Sequence, residues 1–173
     1  MAHHPRRAAV VTVSDRVAAG TAQDQSGPRL AQLLIDAGWI VAATEVTSDD
    51  ADAIAGVLTR LADQGGIALV LTTGGTGLGP RDVTPDGTRR IAEREVPGIA
   101  EALRSFSIER TPHAMLSRAT AAIRGRTLII NLPGSPRAVS QTFDVLAPVL
   151  DHAVSLVAGG TPTPDEHRAV DHG

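Results

Sequence analysis

The stretch TTGGTGLGPRDVTPD, residues 72 to 86, places four glycines, an arginine and two aspartates directly behind an apolar run. Consecutive glycines after a strand let several backbone N–H groups point at one anion with no Cβ in the way. The amides of Gly74, Gly75 and Gly77 are therefore expected to hold phosphate oxygens, with hydroxyls from Thr72, Thr73 and Thr76 beside them. Asp82 in the same loop makes sense only if a cation sits between acid and phosphate. Mg²⁺ suits that task, because it bridges carboxylates and phosphate oxygens while keeping several waters. Asp49 and Asp15 each follow an earlier apolar run and are the other candidate acids. Arg81 and Arg16 are candidate phosphate clamps. Each acid also has a structural alternative. Asp49 or Asp50 caps a helix, Asp82 pairs with Arg81 or Arg16, and Asp86 serves as a first-turn acid favoured by the helix dipole.

The loop matches neither common nucleotide pattern. A Walker A loop continues from its last glycine into Lys and then Ser or Thr, whereas Gly79 leads into Pro80 and Arg81. A dinucleotide fingerprint read from Gly75 meets Pro80 at its sixth place, and that fingerprint belongs to the first strand of its unit.

The elements that must position these residues follow from periodicity. AAVVTV (8–13), WIVAATEV (39–46), IALVL (67–71) and RTLIINL (126–132) read as buried strands. Leu30, Leu33, Leu34 and Ala37 recur at helical spacing, as do Ile54, Leu58 and Leu61. Thr84 is expected to cap a helix opened by Pro85 and running to about Glu95. Pro97 opens another, and Ser135-Pro136 starts a long one that Pro148 should kink or split. MLSRATAAI fits a helix end or a short edge strand equally well. Strands alternating with helices predict a three-layer α/β/α fold with a mostly parallel sheet. Ligands in such folds sit at the carboxyl ends of the strands. The SDR turn, the glycine loop, the LPGSP turn and Asp49 all fall at such ends. One domain over residues 8–158 is expected, between a disordered tip (1–7) and a flexible tail (159–173).

Composition narrows the classes. All 16 basic residues are Arg, so no lysine is available for a Schiff base or a phosphate contact. Cysteine is absent, which removes disulfides, thiolate nucleophiles and cysteine metal sites. A net charge of −3 and only three aromatic residues, Trp39, Phe106 and Phe143, argue against nucleic acid as a partner. No apolar run has transmembrane length and no signal core opens the chain, so no membrane partner is expected and the location is read as cytoplasmic.

Taken together with VTVSDR (11–16), EREVPG (93–98), AMLSRATAAIRG (114–125) and LIINLPGSP (128–136), the glycine loop closely resembles the signature of the MogA/MoaB molybdenum cofactor biosynthesis proteins. The likeness spans roughly residues 8 to 157. It implies a molybdopterin-binding α/β/α fold assembled as a homotrimer. It implies adenylylation of molybdopterin by Mg-ATP, giving adenylyl-molybdopterin and pyrophosphate, with hand-over of the product to a molybdenum-insertion enzyme. On the same resemblance Asp49 and Asp82 are catalytic and hold Mg²⁺, and Ser117 lies near the nucleotide and the reacting phosphate. The site is then lined by Ser14, Asp15 and Arg16, by Thr73, Gly74, Gly75, Thr76, Gly77 and Arg81, and by Pro133, Gly134, Ser135 and Pro136. The alternative is a non-catalytic molybdopterin carrier of MoaB type, which would keep the glycine cradle without needing both acids.

Overall fold

A computed structural model describes residues 6–159. In chain order the elements are β1 (Arg7–Val13), α1 (Asp15–Ala18), α2 (Ser26–Asp36), β2 (Ile40–Thr47), α3 (Ala51–Asp63), β3 (Leu69–Thr73), α4 (Thr84–Ile91), β4 (Arg94–Glu95), α5 (Pro97–Ile108), a 3-10 turn (Pro112–Leu116), β5 (Ala121–Arg124), β6 (Thr127–Leu132) and α6 (Pro136–Val157). They form a three-layer α/β/α fold around one six-stranded sheet ordered β2-β1-β3-β6-β5-β4. β2, β1, β3 and β6 are parallel; β5 runs antiparallel to β6, and β4 antiparallel to β5.

The period-two geometry of the strands divides the core cleanly. Ala8, Val10, Leu69, Leu71, Leu128 and Ile130 point to the layer of α2, α5 and α6. Ala9, Val11, Val70 and Ile129 point to the layer of α3 and α4, where Ile54, Leu58 and Leu61 meet them. Trp39 is buried in the first of these clusters. β1 pairs with β2 on one side and β3 on the other. The connections after β1 and β3 therefore diverge, which opens a crevice at the carboxyl ends of those strands.

Several expectations change in detail. The ambiguous MLSRATAAI segment supplies β5, an interior strand rather than an edge, and β4 is a further strand that no apolar pattern announced. β3 extends through Thr72 and Thr73, both fully buried, because Asn131 on β6 donates to the Thr72 hydroxyl at 3.0 Å. α4 stops at Ile91, so that Arg94 and Glu95 can pair with Ile123 and Ala122. Thr84 does not cap α4; it is the first helical residue, and its hydroxyl donates to the Gly74 carbonyl at 2.8 Å. α6 is continuous through Pro148. Pro148 and Asp144, whose carbonyl loses its helical partner, both lie on the exposed side, where the freed group is open to solvent. β1 begins at Arg7 and Arg6 pairs with Asp151, while residues 1–5 of the expected tip and nearly all of the expected tail lie outside the described residues. No described helix is long and apolar enough to cross a membrane.

Candidate functional site

The three polar turns and Asp49 converge at the carboxyl ends of β1, β2, β3 and β6. The glycine loop sits between two cavities there. One, of about 530 Å³, is polar and is lined by Ser14, Asp15, Arg16, Asp49 and Asp82, together with Gly74, Gly75 and Gly134. The other, of about 320 Å³, is mostly apolar and takes Thr76, Gly77, Ser117 and Pro133 as part of its wall. Successive residues of the same two turns thus face opposite cavities: Gly74-Gly75 against Thr76-Gly77, and Gly134 against Pro133.

Local sequence explains how the acids come to the polar cavity. Asp50 caps α3, its Oδ1 accepting from the N–H groups of Asp52 at 3.0 Å and Ala53 at 2.8 Å. Asp49 is thereby released from capping. It forms a reciprocal pair with Asp15 instead. The Asp15 N–H donates to Asp49 Oδ2 at 2.7 Å, and the Asp49 N–H donates to Asp15 Oδ1 at 2.9 Å. Burial pushes the Asp49 carboxyl above its ordinary value; the Asp15 amide opposes this, and the charges of Asp15 and Asp82 add to it. Asp15 is held below its ordinary value, first by hydrogen bonds from Arg81 and then by the Asp49 amide. Neighbouring acids in unlike environments form a site whose excess negative charge a divalent cation would relieve.

Asp82 makes no ion pair among the described residues; its Oδ2 accepts from the Gly79 N–H at 2.8 Å. A Cβ at Gly77 or Gly79 would lie 2.8 Å from that same oxygen, so both glycines make room for the acid. Gly75, at φ +62°, has equally little space: a Cβ there would lie 2.4 Å from Thr84 Oγ1 and 3.1 Å from Asp49 Oδ1. Among the described residues no three acidic or imidazole groups converge tightly enough to cage a metal ion by themselves. The donor set fits Mg²⁺ held by two carboxylates together with water and substrate phosphates, and does not fit a closed protein site.

The expected donors divide into spent and unspent groups. The Gly74 N–H is already bonded to the Leu132 carbonyl at 3.2 Å, so it cannot serve the cradle. The N–H groups of Gly75, Thr76 and Gly77 have no partner among the described residues. The Thr73 hydroxyl donates to the Pro133 carbonyl at 2.7 Å and ties the two turns together. Ser14 caps α1 by accepting from Val17, and Ser135 caps α6 by accepting from Ala138. Pro136 opens α6, so the positive end of that 22-residue helix faces the polar cavity. Arg81 is turned away from a clamp role in this state: its guanidinium forks onto Asp15, with Nε to Oδ2 and Nη2 to Oδ1 both 3.0 Å. Arg16 lines the polar cavity and has no ion pair among the described residues.

Ser117 stands in the apolar cavity, apart from Asp49 and Asp82, and its hydroxyl oxygen accepts from the Ala119 N–H. Residues not singled out as site candidates in the sequence surround it. Arg118 donates its backbone N–H to the Thr76 carbonyl at 2.8 Å, Nη1 to the Asp82 carbonyl at 3.0 Å and Nη2 to Asp86 at 2.6 Å. Arg104 donates to the carbonyls of Ser117 and Ala119. Buried Asn131 donates to the hydroxyls of Thr72 and Thr88 and accepts from the Thr120 N–H. Asp24, on the floor of the polar cavity, accepts from the Thr12 hydroxyl at 2.6 Å and the Gly27 N–H at 2.9 Å. The spacing of Asp24 and Gly27, with an acid three residues before a helical N–H, is the one signal that reading for caps would have caught.

The model of the family described as "Probable molybdopterin binding domain" matches residues 9–152. The chain belongs to this MogA/MoaB family. A molybdopterin adenylyltransferase of Haemophilus influenzae is 45% identical over 139 residues, covering 78% of this chain and 70% of that protein. One from Helicobacter pylori is 35% identical over 152 residues, covering 87% and 86%. The solved structure of the molybdopterin biosynthesis enzyme MoaB from Thermus thermophilus superposes with a TM-score of 0.83 at 46% identity, over 88% of this chain and 96% of that one. Other relatives are longer: this chain spans 24% of gephyrin from Dictyostelium discoideum, at 39% identity. Within the MogA/MoaB fold, the glycine loop of this member is the wall shared by its two cavities.

Proposed function

We propose that the chain is a molybdopterin adenylyltransferase of molybdenum cofactor biosynthesis, which uses Mg-ATP to form adenylyl-molybdopterin and pyrophosphate. The observation that carries the reading is the loop crest: three unspent N–H groups, of Gly75, Thr76 and Gly77, between an acidic cavity and an apolar one. Relatives at 35–45% identity that bear the adenylyltransferase name support it. In the reaction an oxygen of the molybdopterin phosphate attacks the α-phosphorus of ATP, and the bond to the β-phosphate oxygen breaks to release pyrophosphate. Both reactants are anions, so the protein's task is positioning and neutralisation of charge. The three loop amides and the α6 N-terminus receive phosphate oxygens. Asp49 and Asp82 would hold Mg²⁺ through one or two direct contacts and water, and the ion, when bound, supplies charge neutralisation at the phosphates. Arg16, which has no ion pair among the described residues, supplies a cation at the polar end. Ser117 orients the phosphate from the apolar side. No protein nucleophile is required, consistent with a chain that has neither Cys nor Lys.

The same reading includes a homotrimer working in the cytoplasm and passing its product to a molybdenum-insertion enzyme. The resemblance supports these points. Relatives named molybdenum cofactor biosynthesis bifunctional proteins, of which this chain spans about half, 47% in Synechococcus elongatus, support the place in molybdenum cofactor biosynthesis. The test is turnover of freshly prepared molybdopterin with ATP and Mg²⁺, following pyrophosphate and adenylyl-pterin. Formation of both products in equal amounts is expected. Tight molybdopterin binding with no pyrophosphate released would replace the enzyme with a carrier.

A further inference from the structure

The apolar cavity poses a question of recognition. Its volume of about 320 Å³ is at the small end of the ~300–1,000 Å³ typical of ligand pockets. Planar ligands are commonly gripped by Phe, Tyr or Trp, yet none of these lines this cavity. Trp39 and Phe143 are buried in the core, and Phe106 is not among the lining residues. The cavity is lined instead by residues whose planar groups are polar or cationic, among them Arg104, Arg110 and His113. Arg104 is committed edge-on to the carbonyls of Ser117 and Ala119.

Arg110 is built differently. Its guanidinium carbon lies 3.5 Å from the centroid of the Phe106 ring, and its Nη1 donates to the Phe106 carbonyl at 2.8 Å. Its carboxylate neighbour among the described residues, Glu109, is 4.0 Å away, too far for a fork. The guanidinium is thus fixed flat on Phe106. One face is covered by that ring, and Arg110, not Phe106, borders the cavity. We infer that the Arg110–Phe106 stack is the platform on which the apolar cavity receives a planar nitrogen heterocycle, the adenine or the pterin ring of the two substrates. A guanidinium sandwiched between two rings supplies the flat π surface and cation–π attraction that the missing aromatic residues would otherwise provide. Thr76 and Gly77 line the same cavity, so a ring seated on Arg110 lies in the space bordered by free amides of the loop. The inference rests on the adenylylation reading only for the identity of the two rings.

The test is equilibrium binding of three probes to the wild-type chain, Arg110→Lys, Arg110→Ala and Phe106→Leu. The probes are AMP, 6-hydroxymethylpterin, and Mg-pyrophosphate, which has no ring. Arg110→Ala and Arg110→Lys should each weaken one ring-bearing probe by ~3- to 30-fold, the size of a partly desolvated cation–π contact, with Phe106→Leu weaker in the same direction. Mg-pyrophosphate affinity should not change, and it verifies that the exposed Arg110 variants keep their fold. Whichever ring responds names the occupant. Unchanged ring binding in Arg110→Ala overturns the inference, as does full affinity in Arg110→Lys or a wild type that binds neither ring. Failure of the wild type to bind Mg-pyrophosphate would contradict the proposed function instead, while a ring response to Arg110 would still stand.

Discussion

The two cavities that flank the glycine loop share their backbone and differ in almost everything else. On the polar side, Asp15, Asp49 and Asp82 crowd near the end of α6, and the fold spends its hydrogen bonds on holding acids in place. On the apolar side, Ala100, Leu103 and Ala119 dominate, and the arginines are used on carbonyls or on Phe106. The difference teaches how a single loop can separate charge chemistry from shape recognition. Consecutive residues face opposite ways, so a molecule with a phosphate at one end and a ring at the other can cross the crest without either end meeting the wrong surface.

The sharpest way to break this comparison is to remove one polar group from each side and follow turnover. Asp49→Asn and Asp82→Asn should each lower kcat by roughly 10²–10³, the usual cost of losing a preorganised electrostatic group. Ser117→Ala should cost only about 2- to 10-fold, the size of one neutral hydrogen bond. The reverse order would place the chemistry in the apolar cavity. A smaller effect is expected from the crest itself. Gly75→Ala must adopt a left-handed conformation and bring its Cβ against Thr84, so a loss of about 1–3 kcal/mol in stability should appear in chemical denaturation. Gly98→Ala, with open space around it and a place in α5, should be neutral or slightly stabilising. Equal losses at both glycines would deny the crest its special geometry.

The smallest effect is on titration. Carboxyl NMR should find Asp49 titrating above the ordinary aspartate range and Asp15 below it. The signs differ in consequence. Asp15 contributes stability that is present above the ordinary carboxylate pKa and lost as pH falls through its depressed value. Asp49 favours the fold while protonated, and that contribution fades as pH rises through its raised value. Mg²⁺ should move Asp49 downward, since a cation favours the ionised form. An Asp49 shift that ignores Mg²⁺ would remove it from the metal-holding set.

Much of the parallel half of the fold is legible in the sequence because buried parallel strands are written as continuous apolar runs. The antiparallel half is not. β4 is only Arg94 and Glu95, both exposed, and β5 is Ala121–Arg124, too short and too rich in alanine to carry a period. The end of β3 hides for a related reason: Thr72 and Thr73 look like loop residues until Asn131 and the Pro133 carbonyl, far along the chain, supply partners for their hydroxyls. At the site, residue types and strand-end positions suffice to gather the acids and glycines. They do not reveal which donors are free. That Asp50 caps α3 and frees Asp49, that Gly74 spends its N–H on Leu132, and that Arg81 lies on Asp15 are outcomes of competition between nearby partners. Only three-dimensional placement decides such competitions.

On the proposed function, adenylyl transfer happens at the loop crest, with one ligand lying across both cavities. The most direct measurement is a crystal structure of the chain with adenylyl-molybdopterin bound. The account predicts a bridging phosphate within hydrogen-bond distance of the Gly75, Thr76 and Gly77 amides, and a ring against Arg110. A product confined to one cavity, with those three amides still unpartnered, would contradict it.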